Sequence, residues 1–216
     1  MNFLFRPTIS YLVVLFSCMT ITCVNAQKVT APSFTMVQNG RSSAVIVTAV
    51  NANKDELLAA NELSEYVFKI SGARIPISTQ KNTKSSVIYI GSACPNYASL
   101  TKNEYAIASR KNELQITGAT PYQTLETVYV LLEEFLGCQF LSPTVEKIPT
   151  TKNISIAASY AYTPAVLTRT VHSKLFYDNA SFAAKRRVTT EGFPKFVPEA
   201  RVHTFNKFLP EKNFFE

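Results

Sequence analysis

Residues 44–78 read AVIVTAVNANKDELLAANELSEYVFKISGARIPIS, and this stretch changes its hydrophobic period in the middle. Ala44 to Val50 is a largely β-branched run suited to a buried strand. Asn53 then stands as a helix cap with Glu56 three residues later, the spacing at which each side chain can accept the other's orphan backbone N–H. Ala59, Leu63, Tyr66, Val67 and Ile70 fall on one face of the helix that follows, and Gly72 ends it. Arg74 to Ser78 resumes an extended run. A strand, an amphipathic helix and a second strand make an α/β unit with one side of the helix turned to the sheet.

The pattern continues downstream. Val87 to Ile90 is a short strand stopped by Gly91. Tyr105 to Ala108 and Leu114 to Thr117 flank the polar turn Arg110-Lys111-Asn112 and form a hairpin. Thr120 caps a second helix, with Pro121 at its first position and Gln123 placed to complete the capping box. Leu125, Val128, Tyr129, Leu132, Phe135 and Leu136 line one side of that helix, and Gly137 terminates it. Gln139 to Leu141 and Asn153 to Ala157 are further strands. The order β-α-β-β-β-β-α-β predicts an α/β (α+β) fold: a two-layer sandwich, a mixed β-sheet covered by two main helices, followed by an irregular C-terminal extension.

Upstream, Arg6 and the mostly apolar stretch Ile9 to Val24 precede Val24-Asn25-Ala26, an export signal with small residues at the cleavage site. The apolar stretch falls short of the roughly 20 residues that cross a bilayer, which argues against a membrane anchor. A lipoprotein signal around Leu15-Phe16-Ser17-Cys18 is disfavoured by Phe16, where a small residue is wanted. The expected plan is therefore a signal peptide over residues 1–26, an α/β domain over 27–159 and a separate region over 160–216, with no membrane span after cleavage. The chain of 216 residues carries 22 Lys+Arg against 15 Asp+Glu and is 46% hydrophobic, which excludes a disordered polar tail, a collagen-like repeat and a multi-span membrane protein. Its basic excess is ordinary and unclustered apart from Lys185-Arg186-Arg187, so no nucleic-acid partner is expected, and that trio reads as a solvated face or the partner of a local carboxylate.

Residues 160–216 are rich in rings, among them Tyr160, Tyr162, Phe176, Tyr177, Phe182, Phe193, Phe205 and Phe214, yet hold no long helical or strand period. So much apolar surface needs something to pack against. The expectation is that it opens a second domain whose remainder supplies that partner. Cys94 and Cys138 remain after signal cleavage. A disulfide between them is permitted in an oxidising compartment. Two separate buried thiols are the favoured alternative, because a domain this long needs no staple.

Three motifs carry a family resemblance. Glu62-Leu63-Ser64-Glu65-Tyr66-Val67-Phe68-Lys69-Ile70-Ser71-Gly72-Ala73-Arg74-Ile75-Pro76-Ile77 resembles the opening of the non-catalytic N-terminal domain of bacterial α-glucuronidases and β-N-acetylhexosaminidases. Val87-Ile88-Tyr89-Ile90-Gly91 is similar to the strand that follows there, and Val128 to Pro143, with Glu133-Glu134-Phe135-Leu136-Gly137-Cys138 at its centre, to the family's second helix and its exit. Gln139-Phe140 stands where that family has Arg-Trp, so a contact made by that Arg is not carried over. Pro164 to Arg169 resembles the entry to a downstream barrel. Val202-His203-Thr204-Phe205, Leu209-Pro210 and Asn213-Phe214-Phe215 resemble the start of an uncharacterised sugar-hydrolase-like barrel domain common in exported proteins of gut-type Gram-negative bacteria. The resemblance implies an exported accessory domain, periplasmic, outer-membrane-associated or secreted. Its partner would be the chain's own downstream barrel, and a glycan is possible as ligand. A free-standing envelope module that binds carbohydrate or another partner is the alternative.

Catalytic residues are not legible. Glu133 and Glu134 are adjacent on a helix and point about 100° apart, unlike the facing carboxylates of a glycosidase. His172 and His203 lack flanking metal-ligand patterns, and no cofactor motif is present. The candidate substrate-binding residues are His203 in the barrel-entry motif, Arg169 and Tyr177. His203 reads either as functional or as a hydrogen-bonded junction residue. Arg169 reads either as a clamp on a sugar carboxylate or as an interdomain ion pair. With no Trp in the chain, Tyr160, Tyr162 and Tyr177 are the rings open to stacking on a sugar, whereas Tyr66 and Tyr129 belong to the inner helix faces.

Overall fold

A computed structural model describes residues 31–81, 86–166, 169, 171 and 173–188. The signal segment 1–26 and the barrel-entry residues His203, Phe205 and Phe214, together with His172, lie outside the described residues. Eleven strands and four helices are present among those described. The main sheet has six strands in the order β11-β6-β7-β5-β3-β4: β3 is Ala44–Val47, β4 Ile77–Ser78, β5 Ser86–Ile90, β6 Tyr105–Arg110, β7 Glu113–Gly118 and β11 Ser159–Tyr162. β4, β3, β5 and β7 run parallel to one another, while β6 is antiparallel to both β7 and β11. The mixed sheet with two long helices is the expected class.

Helix α1, Lys54–Ser71, starts as its sequence predicts: Asn53 accepts from the Asp55 N–H, the Glu56 carboxylate accepts from the Asn53 N–H at 2.9 Å, and Gly72 closes the last turn in the left-handed region. Helix α2, Pro121–Val130, opens on Thr120, whose hydroxyl accepts from the Gln123 N–H at 3.2 Å. The expected box is only half made, since the Gln123 side-chain amide donates across to Asn103 at 3.3 Å. Residues on one face of the sheet (Ile46, Ile88, Ile90, Ile107, Leu114, Ile116) share a single apolar core with Leu63, Tyr66, Val67 and Ile70 of α1 and Leu125, Val128 and Tyr129 of α2. Register explains the sorting: Ile107 pairs with Ile116 and Ile88 with Leu114, so alternate residues turn to the helices. The intervening Val45, Val47 and Val87 form a smaller cluster with Tyr89 and Ala93 on the opposite face.

The structure departs from the sequence reading in four places. A second sheet, β10-β1-β2, contains β1, Phe34–Gln38, and β2, Arg41–Ser42, ahead of the first predicted strand. They are joined by Asn39-Gly40, both at positive φ, the dipeptide that suits a two-residue hairpin; β10 is Ile154–Ile156. The second helix does not run uninterrupted to Gly137. It passes at Leu131–Phe135 into a π turn, with the Leu136 N–H donating to the Leu131 carbonyl at 3.1 Å. A small hairpin, β8 (Gln139–Ser142) and β9 (Val145–Lys147), follows.

The fourth departure concerns the tail. Strand β11 crosses the expected boundary at residues 159 and 160, continuing the main sheet to Tyr162. Beyond it, α3 (Lys174–Tyr177) and α4 (Ala180–Lys185) fold back, with Phe182, Ala183 and Ala184 buried. Phe176 stacks on Phe182 at 5.3 Å between ring centroids, and Tyr160 meets Phe135 edge-on at 6.2 Å. These rings find their cover inside this chain, which corrects the expectation that the extension lacks a partner as far as Val188. The Cys94–Cys138 disulfide that the sequence permitted is not formed: both cysteines are free and buried, as the favoured alternative had it. The Cys94 thiol donates to the carbonyls of Tyr89 and Ile116, and burial pushes it up to about 12 and Cys138 to about 11. Both therefore pack as small apolar groups. No helix among the described residues is long and apolar enough to cross a membrane.

Glu56 also explains Gly91. Its carboxylate accepts from the Ser92 N–H at 2.6 Å and the Ser92 hydroxyl at 3.0 Å, and a Cβ on Gly91 would lie 2.2 Å from Glu56 Oε1. Gly91 also sits at φ +57. Gly91→Ala is expected to cost about 2 kcal/mol or more through clash and strain together, measured as a lower urea midpoint with unchanged slope.

Candidate functional site

A cavity lies at the open end of the β6–β11 pair. It encloses about 530 Å³ and is lined by Tyr105, Val130, Glu134, Phe135, Tyr160, Tyr162, Arg169 and Arg187. Tyr105 begins β6 and Tyr162 ends β11; they are directly paired, so their side chains share the helix-side face of the sheet. Their rings stack at 6.2 Å with 23° between planes. Tyr160, two residues back on the same face, stands 6.4 Å from Tyr162. The π turn supplies the facing wall, carrying Glu134 and Phe135.

A buried ion pair underlies this wall. Glu126, on α2 one turn before Val130, is almost fully enclosed. It accepts from the Tyr105 hydroxyl at 2.5 Å and from Arg169 Nη2 at 2.7 Å, while Arg169 also donates to the Tyr105 oxygen at 2.9 Å. Burial drives the Glu126 carboxyl above its ordinary range; the Tyr105 hydrogen bond and the charges of Arg169 and Arg187 pull it back only in part. Burial, reinforced by the hydrogen bond to Glu126, raises the Tyr105 hydroxyl as well.

Helix α4 brings in the other charges. It ends in a Schellman arrangement, with the Arg187 N–H donating to Ala184 and the Val188 N–H to Ala183. Arg187 occupies the left-handed position, φ +56, that usually falls to Gly. Arg186 and Arg187 both bond Glu133, Arg186 at 2.9 Å. Lys185 bonds Glu146 at 2.6 Å, and Glu146 also accepts from the Tyr66 hydroxyl at 2.6 Å. The basic trio is thus a set of local carboxylate partners, as the alternative reading of its sequence had it. Burial alone would raise the Glu146 carboxyl, but the bonds from Lys185 and Tyr66 and the charges of Lys185 and Lys69 outweigh it and hold it below the usual range.

Of the residues singled out from sequence, Arg169 lies in the cavity wall and forms its ion pair with Glu126 of α2. Tyr177 sits on α3, about half exposed, and does not line the cavity. His203 is outside the described residues. Glu133 is paired and Glu134 is exposed at the cavity rim, pointing to no shared bond. Tyr105 and Glu126 were not marked as site residues by sequence reasoning, and Arg187 was marked only within the basic trio. The available signal was Glu126 itself, a lone acid inside the run Thr124-Leu125-Glu126-Thr127-Val128 on a buried helix. Among the described residues no three His, Cys, Asp or Glu side chains gather as a metal site would require.

Two outcomes follow. Arg169→Ala leaves the enclosed Glu126 hydrogen-bonded to the neutral Tyr105 hydroxyl, with the Arg187 charge acting without a direct bond, and is expected to lower stability by roughly 1–3 kcal/mol, with Glu126→Gln in the same chain recovering part of the loss in thermal melts. For pH, the depressed Glu146 stabilises the α4 contact above the ordinary carboxylate value of 4.5, and this is lost as pH falls through its lower folded value. Glu126 has the opposite sign, its raised folded value weakening the fold as pH rises above 4.5. Amide protection factors in residues 182–188, taken relative to the intrinsic exchange rate at each pH, should therefore fall on acidification below about pH 4.5, before those of β6 and β7.

No protein-family profile matches the chain, and no curated protein matches it. Among solved structures it is similar to a family GH115 4-O-methyl-α-glucuronidase with specificity for decorated arabinogalactans, at 14% identity and TM-score 0.47, over 63% of this chain and 19% of that one. It is similar to a β-hexosaminidase of Streptomyces plicatus at 14% identity and TM-score 0.42, and to a GH20 β-N-acetylhexosaminidase of Streptomyces coelicolor A3(2) at 16% and 0.43, each over 65% of this chain and 25% of the other. The chain spans 19% to 25% of the length of these structures.

Proposed function

We propose that this chain is a non-catalytic accessory domain of an exported, glycoside-hydrolase-like protein, packing beside a catalytic barrel supplied by a continuation of the polypeptide. The observation that supports it best is where the motif residues are spent. Tyr129 of the third motif donates to Glu62 of the first at 3.0 Å, tying α2 to α1. Tyr66 and Tyr129 both meet Phe140 edge-on, at 5.4 and 5.8 Å. The motifs that resemble the accessory domain therefore encode helix-to-helix packing. The enclosed and half-enclosed carboxylates tell the same story: Glu56 caps α1, Glu62 bonds Tyr129, Glu126 pairs with Arg169, Glu133 with Arg186 and Arg187, and Glu146 with Lys185. Each is bound into the fold, and none faces a second acid across the cavity described above.

A free-standing binding module is the second reading, favoured by that aromatic cavity. An assay tests the absence of catalysis, and the reading frame separates the two. The chain from Gln27 to Glu216, assayed on aryl α-glucuronides and aryl β-N-acetylhexosaminides, should give no turnover above buffer, and its reading frame should run on beyond Glu216 into a barrel. Turnover by this chain alone would overturn the accessory role, and a stop codon directly after Glu216 would move the assignment to the binding module. N-terminal sequencing of the exported protein should begin at Gln27; an intact Met1 would remove export from the proposal.

A further inference from the structure

The cavity between β6, β11 and the π turn has features that packing alone does not require. Tyr162 is half exposed at the end of an edge strand, yet its ring stacks on Tyr105 at 6.2 Å and lies tilted against Tyr160 at 6.4 Å. An exposed ring held in one orientation is a platform whose ordering cost has been met before any ligand arrives. The volume of about 530 Å³ falls in the range of small-molecule sites. The π turn brings Glu134 and Phe135 to the opposite wall, and such turns recur at functional sites. Arg187 is held at a backbone conformation better suited to Gly, with its guanidinium bonded to Glu133 and lining the cavity.

Charge narrows the ligand class. Arg169 is matched by Glu126, Arg186 and Arg187 share Glu133, and Glu134 adds a further negative group at the rim. Among the described residues no positive excess is left to draw in a carboxylate or phosphate. Aromatic faces beside both a donor-rich guanidinium and an acceptor carboxylate instead suit a molecule with an apolar ring face and hydroxyls around its edge, which can donate and accept at once.

We infer that this cavity is a subsite for an uncharged sugar ring, stacked on Tyr162 with its hydroxyls donating to Glu134 and accepting from Arg187. The choice of sugar rests on the carbohydrate-active reading above, while the site itself rests on the cavity. The ring can belong to a free monosaccharide or to the end of a glycan, since both present the same chemistry.

The test is saturation-transfer NMR and shift titration of the chain with galactose, xylose, N-acetylglucosamine, glucuronic acid and AMP. At least one neutral sugar should receive saturation at its ring C–H protons. Tyr162→Ala should weaken it about tenfold, Tyr162→Phe by no more than about threefold, and Glu134→Ala several-fold. Tyr97→Ala, outside the cavity, should bind as the parent does. Because Tyr162 is half exposed, its replacement should leave the melt nearly unchanged; should it not, the exposed Glu134→Ala decides. No binding of any neutral sugar, tighter binding of glucuronic acid or AMP, or undiminished binding by both Tyr162→Ala and Glu134→Ala would overturn the subsite. Sugar binding by a protein whose longer form hydrolyses no glycoside would keep the subsite and overturn the accessory role. Hydrolysis by the longer form with no sugar bound here would do the reverse.

Discussion

One carboxylate sets where the helical layer sits. Glu56 accepts from the Asn53 N–H inside its own helix and from both the N–H and the hydroxyl of Ser92 just past β5. A buried carboxylate is tolerated only when its oxygens are satisfied, and here the donors come from two different elements. The start of α1 is therefore tied to the end of β5, and the helix must lie across the sheet with Leu63, Tyr66 and Ile70 facing Ile46 and Ile88. The Tyr129–Glu62 bond then sets α2 beside α1. Gly91 is the consequence of this tie: the carboxylate occupies the space that a side chain there would need.

The same economy recurs at the other end of the domain. Tyr66 and Phe140, core residues of α1 and β8, lie beneath Lys185, whose ammonium sits 5.3 and 5.4 Å from their rings while it bonds Glu146. Helix α4 is short and would not hold by itself, since so few residues cannot repay helix nucleation. It is kept by Phe182 and Ala183 in the core and by three basic side chains answering two acids. Closing α4 over the π turn puts Arg187 next to Tyr160 and Tyr162 and so completes the cavity. A strand that joins the sheet after a long excursion, an irregular turn and the last turn of a small helix thus meet in one place.

Much of the scaffold was legible in the sequence because the signals are local. Asn53 with Glu56, Gly72, Thr120 with Pro121, and the apolar faces of both helices each depend on residues within a turn or two of one another, and each appears where it was expected. The misses share a cause. Phe34–Gln38 is too short and too mixed to announce itself, and becomes a strand through its partner β10, distant in the chain. Nothing local distinguishes Leu131–Phe135 from ordinary helix; the π turn is a response to packing. The tail offered rings without a period, and only the sheet edge and the surface of α2 reveal what those rings cover.

The sequence by itself determined the layers: which residues form strand and helix, which faces turn inward, and that Tyr66 and Tyr129 are core. Period and capping act over a few residues, so they survive in a linear reading. The tertiary structure alone decided the site. Tyr105 and Tyr162 become neighbours through strand pairing, Glu126 meets Arg169 through the path of the tail, and Arg187 reaches the cavity through the docking of α4. The thiols of Cys94 and Cys138 stay apart for the same reason, each enclosed by its own surroundings. Such contacts join residues dozens of positions apart, and their free energy comes from burial and charge pairing that exist only once the chain has closed on itself.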